Sequence, residues 1–528
     1  MEIKENFKRA DGLVLAIIWS WLIFQTILLG GGIMAGDEFF SFILIHDPSV
    51  SHTLHALGDQ ADGGPPAYYL TAKIWSSIFS DGPLSLRLFS TTGFCVGLTT
   101  LWLLLRQRFN LWPTAFAFAA VLGGSRVMAS ESLEIRFYGM LFALISCAAF
   151  LGVQFCRSDS PGRGLLVANL LTQAVLVLCH PLGGFYGFAI MIGVACSDLL
   201  HKPVRIRPFV IGSYFFGWLA ILLWIKQFFR QADINNPHSW VPQPTFGDLL
   251  AEFKTESNLY PLFLFYICLY LLFLFISRFY PFRAVAPADQ PSPFPREYLF
   301  IGLALISINP LFWMISRLNP DNSIFLGRYL IGTSIGWTIL LVPFADFVFQ
   351  RINLRSSIVL IAFCALFTLF VSRPIWIQPI KRLVKGSVED PRQYLMGGSD
   401  RAFGYKELPI VCPDAFEFMP RQYYSPDSDR YYLLVDWKAT MAAKTPFPGC
   451  YKIPSALKRN YPNLHIEEAS DFLRDHPKFL LLDIPYYDWP SLFLKPGAYM
   501  ITRLEPVYPL DYAHDGDGPL LLVEKRQP

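Results

Sequence analysis

Charge is what this sequence is short of: only 16% of its 528 residues are Asp, Glu, Lys or Arg, while 53% are hydrophobic. Soluble domains carry roughly 25% charged residues, so a chain this apolar, with a mean hydropathy of +0.37, needs lipid as the solvent for much of its surface. Stretches of Lys and Arg interleaved with aromatics are missing, and the basic and acidic residues nearly cancel to a net charge of +3, which argues against nucleic acid as a partner. The spacings of a zinc site are missing too: nine cysteines form no CxxC and no Cys/His cluster. Seven of them, Cys95, Cys147, Cys156, Cys179, Cys196, Cys268 and Cys364, lie in or beside apolar runs and read as small buried hydrophobes. The first apolar run, residues 13–34, exceeds the roughly 7–15 residues of a signal-peptide core and lacks a small-residue cleavage site, so it is expected to remain as a first span. No internal repeat of the kind found in many secondary transporters stands out.

What is present is a series of apolar runs near the roughly 20 residues a helix needs to cross a bilayer. They fall near 13–34, 84–105, 111–127, 134–155, 165–180, 183–199, 208–226, 258–279, 297–316, 328–349 and 355–373, about eleven in all. With the N-terminus in the cytoplasm, the inner loops receive the excess of Lys and Arg that orientation rules require. An odd number of spans then puts the C-terminus outside, as expected for a multi-pass inner-membrane protein. Past Arg373 the apolar runs shorten and Pro, Asp, Tyr and Lys become frequent, so residues 374–528 are expected to form a water-soluble periplasmic domain after a membrane domain at 1–373. Strand-like runs at Leu408 to Val411, Tyr431 to Val435, Phe479 to Ile484, Tyr499 to Arg503 and Leu520 to Val523, with a helical stretch at Glu467 to Asp475, predict a small α/β fold there.

Two adjacent carboxylates, Asp37 and Glu38, follow the first span. A carboxylate at a membrane surface serves either as an ordinary helix cap or as a chemical group, and spacing alone leaves both open. The loop continues through His46, Asp47, His52, His55, Asp59 and Asp62 to Gly63-Gly64-Pro65-Pro66-Ala67-Tyr68-Tyr69-Leu70. A divalent metal is compatible with that residue set, but no pair has a trustworthy ligand spacing, and the expectation is a loop of solvated side chains. On the same expected side lie Arg87, Arg126, Arg136, Lys226, Arg230 and Arg328, each explicable singly as a snorkelling residue at a helix end. Their number is less easily explained that way. His180 closes the fifth span, and Trp240, in His238-Ser239-Trp240-Val241-Pro242, suits either an interfacial belt or a stacking platform.

Taken in order, Asp37-Glu38, Pro65-Pro66-Ala67-Tyr68-Tyr69-Leu70, Ser85-Leu86-Arg87-Leu88, Arg136-Phe137-Tyr138 and Gly327-Arg328-Tyr329-Leu330 resemble the GT-C membrane glycosyltransferases, among them bacterial proteins similar to protein O-mannosyltransferases and the lipid A aminoarabinose transferase. The resemblance spans about residues 10 to 370 and implies a mainly α polytopic GT-C fold, followed by an α/β extracytoplasmic domain. It implies a polyprenyl-phosphate sugar as donor, an envelope lipid, glycan or protein as acceptor, and inversion at the anomeric centre. Asp37 is then the general base with Glu38 its neighbour, and Arg136 and Arg328, with Tyr138, Arg87 and His180, face the donor phosphate. Tyr68 and Trp240 are the expected substrate contacts. One departure stands out: many members have His or Lys directly before the Pro-Pro, where this chain has Gly64.

Two rival readings use the same residues. A transporter or flippase of lipid-linked sugars would hold charges near the midplane on broken helices, whereas here they fall at span ends and in loops. A mere anchor for the soluble tail leaves those charges unexplained. Cys412 and Cys450, the two cysteines of the tail, are free to bridge in an oxidising compartment.

Overall fold

A computed structural model describes residues 9–34, 36–123, 125–235, 241–255, 271, 295–319, 323–349, 377, 379–381, 405, 407–443, 448–483, 489–509 and 517–526. The chain divides into two compact units, neither continuous in sequence: residues 1–30, 84–225 and 243–386 form the first, and 31–83, 226–242 and 387–528 the second.

The first unit is helical. Its described helices are α1 (Arg9–Leu29), α5 (Pro83–Arg106), α6 (Leu111–Leu122), α7 (Arg126–Glu131), α8 (Tyr138–Arg157), α9 (Arg163–Cys179), α10 (Gly183–Leu199), α11 (Pro208–Trp218), α13 (Phe246–Thr255), α14 (Arg296–Ile306), α15 (Ile308–Leu318) and α16 (Thr333–Phe349). Four spans among the described residues are long and apolar enough to cross a membrane: α1, α5, α8, and α14 with α15 together. The expected spans at 258–279 and 355–373 lie outside the described residues, apart from residue 271. Two expected spans are interrupted. The 111–127 run stops as a helix at Leu122 and restarts as the short α7, and the 208–226 run passes from α11 into a 3-10 turn, Leu219–Leu223. The break between α14 and α15 has a local cause, because Pro310 has no amide hydrogen to donate to the carbonyl four residues back, that of Ile306.

Several polar groups inside this apolar unit pair across helices, as burial favours. Asp11 of α1 accepts from Trp102 Nε1 at 3.1 Å and from Arg106 Nε at 2.6 Å. Asn169 donates to Ser213 at 2.9 Å, and Gln173 accepts from Trp218 Nε1 at 3.0 Å. Where α5 meets α8 the backbones touch: a Cβ at Gly139 would lie 2.0 Å from the Ser90 carbonyl oxygen, and one at Gly93 would lie 2.4 Å from the Gly139 carbonyl carbon. Small residues let membrane helices approach this closely, and this contact fixes the entrance to α8.

The second unit joins the loop after the first span to the C-terminal region. It contains α2 (Asp37–His46), α3 (Val50–Gly58), α4 (Pro66–Ile78), nearly all of α12 (Ile225–Asn235), α17 (Ala415–Tyr424), α18 (Trp437–Ala443), α19 (Pro448–Asn460), α20 (Ala469–Asp475) and α21 (Trp489–Phe493). Its six-stranded sheet has the order β3-β2-β1-β4-β6-β5, with β1 Ile410–Cys412, β2 Tyr431–Val435, β3 Ile466–Glu468, β4 Lys478–Leu482, β5 Tyr499–Pro509 and β6 Asp517–Lys525. The first four strands pair in parallel, while β6 runs antiparallel to β4 and β5. Val411, Leu434, Phe472, Phe479, Leu481 and Val523 form the core over the sheet. The five expected strands are all present. β3 was not anticipated, because three residues carry no readable alternation. Cys412 is buried at the end of β1, and the side chain of Cys450 lies outside the described residues.

Candidate functional site

In the first unit, the connection between α7 and α8 and the 3-10 turn Gly327–Leu330 bring four of the expected residues together. Ser125 caps α7 by accepting the Met128 amide at 3.2 Å, and the chain then turns so that the Arg136 carbonyl accepts from Ser90 Oγ at 2.9 Å. That bond, beside the glycine contact, fixes the backbone of Arg136. Its buried guanidinium carbon sits 5.0 Å from the centre of the Phe137 ring. Arg328 lies 5.9 Å from the ring of Tyr138 and 5.8 Å from that of Tyr329. Tyr186 secures this turn by donating to the Tyr329 carbonyl at 2.6 Å.

His180 packs between the two motifs, its ring 4.6 Å from Phe137 and 5.5 Å from Tyr329. Its Nδ1 accepts the Leu182 amide at 3.1 Å, which leaves Nε2 to carry the proton of the neutral ring. Arg136 and Arg328 are both electrostatic neighbours of His180 and of Tyr138. The Tyr138 hydroxyl is wholly buried with no hydrogen-bond partner among the described residues. Two guanidinium groups, an imidazole N–H and a phenol are all donors, and their common complement is an anion with several acceptor oxygens. Arg87 holds a different post: its Nη1 donates to the Gly30 carbonyl at 2.6 Å, just past the end of α1.

In the second unit, Asp37 and Glu38 open α2, where the positive end of the helix dipole favours carboxylates. Glu38 is buried and Asp37 half-buried. The rest of this segment is not the solvated loop expected from its composition. Its three histidines go to three different partners: His46 to Asp81 at 3.0 Å, His52 to Asp47, and His55 to Asn460 at 3.0 Å. Among the described residues no group of three or more His, Cys, Asp or Glu is arranged to hold a metal ion. Asp47 also accepts from the Ser49 amide and the Tyr461 hydroxyl, each at 2.8 Å. Burial works against its charged form, but the hydrogen bonds from Ser49, His52 and Tyr461 prevail and hold the carboxyl below its ordinary range. Asp59 accepts from Arg459 at 2.8 Å and Asn460 at 3.0 Å.

Asp62 orders the approach to α4, accepting from Ser41 at 3.0 Å and from the Gly63 amide at 2.6 Å. Tyr68 is wholly buried in α4, 5.3 Å from the Tyr69 ring. Gly64 has a packing reason: a Cβ there would lie 2.7 Å from the Tyr69 hydroxyl and 3.1 Å from its ring. Tyr69 fills the space a larger side chain would need.

Neither a family model nor a curated protein matches the sequence. Solved structures do. ArnT from Cupriavidus metallidurans in the apo state matches with a TM-score of 0.56 at 12% identity, over 97% of this chain and 98% of that one. The same enzyme bound to undecaprenyl phosphate gives 0.55 at 12% identity with the same coverage. The chain has the ArnT fold. The likeness is to a GT-C fold over nearly the whole length, so it includes the α/β region as well as the helical one.

Within this ArnT fold, Arg136, Tyr138, Arg328 and His180 stand together, whereas Arg87 is turned to the end of α1. Arg126 is exposed at the start of α7, and Arg230 lies in the second unit beside Lys452, whose amine is lowered to about 8 by burial and by that arginine's charge. Trp240 lies outside the described residues. Sequence reasoning missed Phe137 and Tyr329 as partners of the arginines. It also missed Glu131, a buried carboxylate electrostatically coupled to Tyr138. The signal was available: in Arg-Phe-Tyr and Gly-Arg-Tyr each arginine is followed by an aromatic ring.

Proposed function

We propose that this ArnT-fold chain is a membrane glycosyltransferase that takes a sugar from a polyprenyl-phosphate donor and passes it to an envelope lipid, glycan or protein. The observation that carries the reading is the convergence of Arg136, Arg328, Tyr138 and His180 as donors around one buried place. A leaving lipid phosphate gains negative charge as the glycosidic bond breaks, and fixed donors stabilise charge where it develops. The ArnT structure bound to undecaprenyl phosphate supports a donor of that class.

Asp37 takes the acceptor's hydroxyl proton as its oxygen attacks the anomeric carbon. The new C–O bond forms as the bond to the phosphate oxygen breaks with its electron pair, so the configuration inverts. Glu38, buried beside Asp37, tunes it or shares a cation with it. The Lys/Arg distribution supports a cytoplasmic N-terminus, with the α/β region and the chemistry on the extracytoplasmic face of the inner membrane. A C-terminal alkaline phosphatase fusion should therefore be active; an inactive fusion beside an active cytoplasmic reporter reverses the orientation.

The functional test is incubation of purified protein with labelled polyprenyl-phosphate sugars and an envelope extract. Label should leave the polyprenyl lipid for a second product, with free polyprenyl phosphate appearing in equal amount. Movement of intact labelled lipid across proteoliposomes without sugar release would replace the transferase reading with the flippase one.

A further inference from the structure

The acidic pair is expected to work at a membrane surface, yet the helix that carries it is fastened to the C-terminal region at both ends. Just before α2, the Met34 amide donates to the Tyr424 hydroxyl at 3.1 Å. The intervening Gly36 has φ +49, and a Cβ there would stand 3.5 Å from the Phe416 ring. Phe39 meets Tyr423 and Tyr424 edge-on at 6.0 and 6.2 Å, Phe40 lies 6.2 Å from Phe416, and Phe42 lies 5.4 Å from Tyr423. At the far end, Lys73 Nζ donates to the Ile45 carbonyl at 3.0 Å and to that of Asp47, and Asp47 accepts from Tyr461.

The helix supplying most of these contacts is itself well fixed. Asp414 caps α17 by accepting the Glu417 amide at 2.9 Å, and Arg421 pairs with Glu417, both fully buried. α17 packs on β1 and β2. The sheet therefore fixes α17, α17 fixes the residues on either side of Asp37, and a carboxylate at a helix start inherits that placement.

We propose that Tyr424 and Phe416 are positioning residues for Asp37, so that the C-terminal region sets the place of the general base for sugar transfer. The proposal rests on the reading of Asp37 as that base. Misplacing a reacting group by about 1 Å costs on the order of 100-fold in rate, whereas the loss of one neutral hydrogen bond that holds it costs less.

The test is a double-mutant cycle on the full-length protein in lipid, with initial rates and donor affinity measured for each variant. Tyr424→Phe keeps the ring and removes the acceptor for the Met34 amide. It should lower kcat about tenfold while donor affinity and KM stay at parental values. Phe416→Leu, which keeps the site apolar, should act in the same direction. In an Asp37→Asn background, followed over long incubations, neither substitution should lower the residual rate further, because there is no base left to position.

A parental kcat for both variants overturns the proposal. So does an equal loss in the parental and Asp37→Asn backgrounds, or a loss expressed in donor affinity, since each indicates general support of the fold. Parental transfer by Asp37→Asn alone overturns the underlying reading instead, without reference to Tyr424.

Discussion

The two charged regions of this molecule use charge in opposite ways. Around Arg136 and Arg328, the guanidinium groups pack near aromatic rings, those of Phe137, Tyr138 and Tyr329, whose faces attract a cation. In the 37–62 segment, Asp47, Asp59 and Asp62 are each engaged by two or more donors of the protein itself. The first arrangement gives each cation an aromatic face to pack on; the second uses carboxylates as acceptors that make a fold. Counting charged residues does not separate these roles. Their partners do.

The largest expected effect tests whether Asp37 departs from its structural neighbours. Asp37→Asn keeps the shape and removes the proposed base, so transfer should fall by about 100- to 10,000-fold with donor affinity retained. Glu38→Gln should cost less. Next comes the cationic side of the comparison. A charge-assisted bond to phosphate is worth about 1.5 to 3 kcal/mol, so Arg136→Ala or Arg328→Ala should weaken binding of polyprenyl phosphate by roughly 10- to 100-fold in a direct binding assay. An unchanged affinity removes that residue from the site. Arg87→Ala should instead show chiefly as lost thermal stability, because its guanidinium caps the end of α1.

A smaller effect is expected at Gly64. Restoring the basic residue that many family members carry, as Gly64→Lys, forces a Cβ against the buried Tyr69 ring and should destabilise the second unit by about 1 to 3 kcal/mol. In a Tyr69→Ala background, itself destabilised by the cavity it leaves, Gly64→Lys should cost less than it does in the parental protein, as read by thermal unfolding. The smallest effect concerns pH. Asp47 is held below its ordinary range in the folded protein, so its contribution to stability is fully present above the unfolded value of about 3.9 and is lost as pH falls through the lower folded value. The melting temperature of Asp47→Asn should therefore fall less steeply than the parental one on acidification below about pH 4.

Much of the fold was legible because it rests on local pattern. The strand at Tyr431–Val435, the first half of β5 at Tyr499 to Arg503, and the spans α5 and α8 announce themselves in their local residue pattern, although β5 runs on to Pro509. The pairing of Arg136 with Arg328 was legible only through motif order, since 192 residues separate them and no local rule joins them. The fate of the 37–62 segment was not legible at all. Its composition is that of a solvated loop, and the groups that bury it, Phe416, Tyr424, Arg459, Asn460 and Tyr461, come from the opposite end of the chain. The interruption after Leu122 was hidden because Gly123 and Gly124 sit in a run whose overall apolarity imitates one span.

The joining of segment 31–83 to the C-terminal region also sets a schedule for biogenesis. Met34 and Tyr424 are separated by 390 residues, and Asp47 and Tyr461 by 414. At about 5 to 20 residues per second of synthesis, α2 waits on the order of 20 to 80 s for the surface that covers Phe39, Phe40 and Phe42. Throughout that interval its aromatic face needs a chaperone or the lipid interface for company. A chain ended prematurely before residue 415 never acquires the cover, so quality-control proteases should meet nascent α2 as a signal of incomplete synthesis.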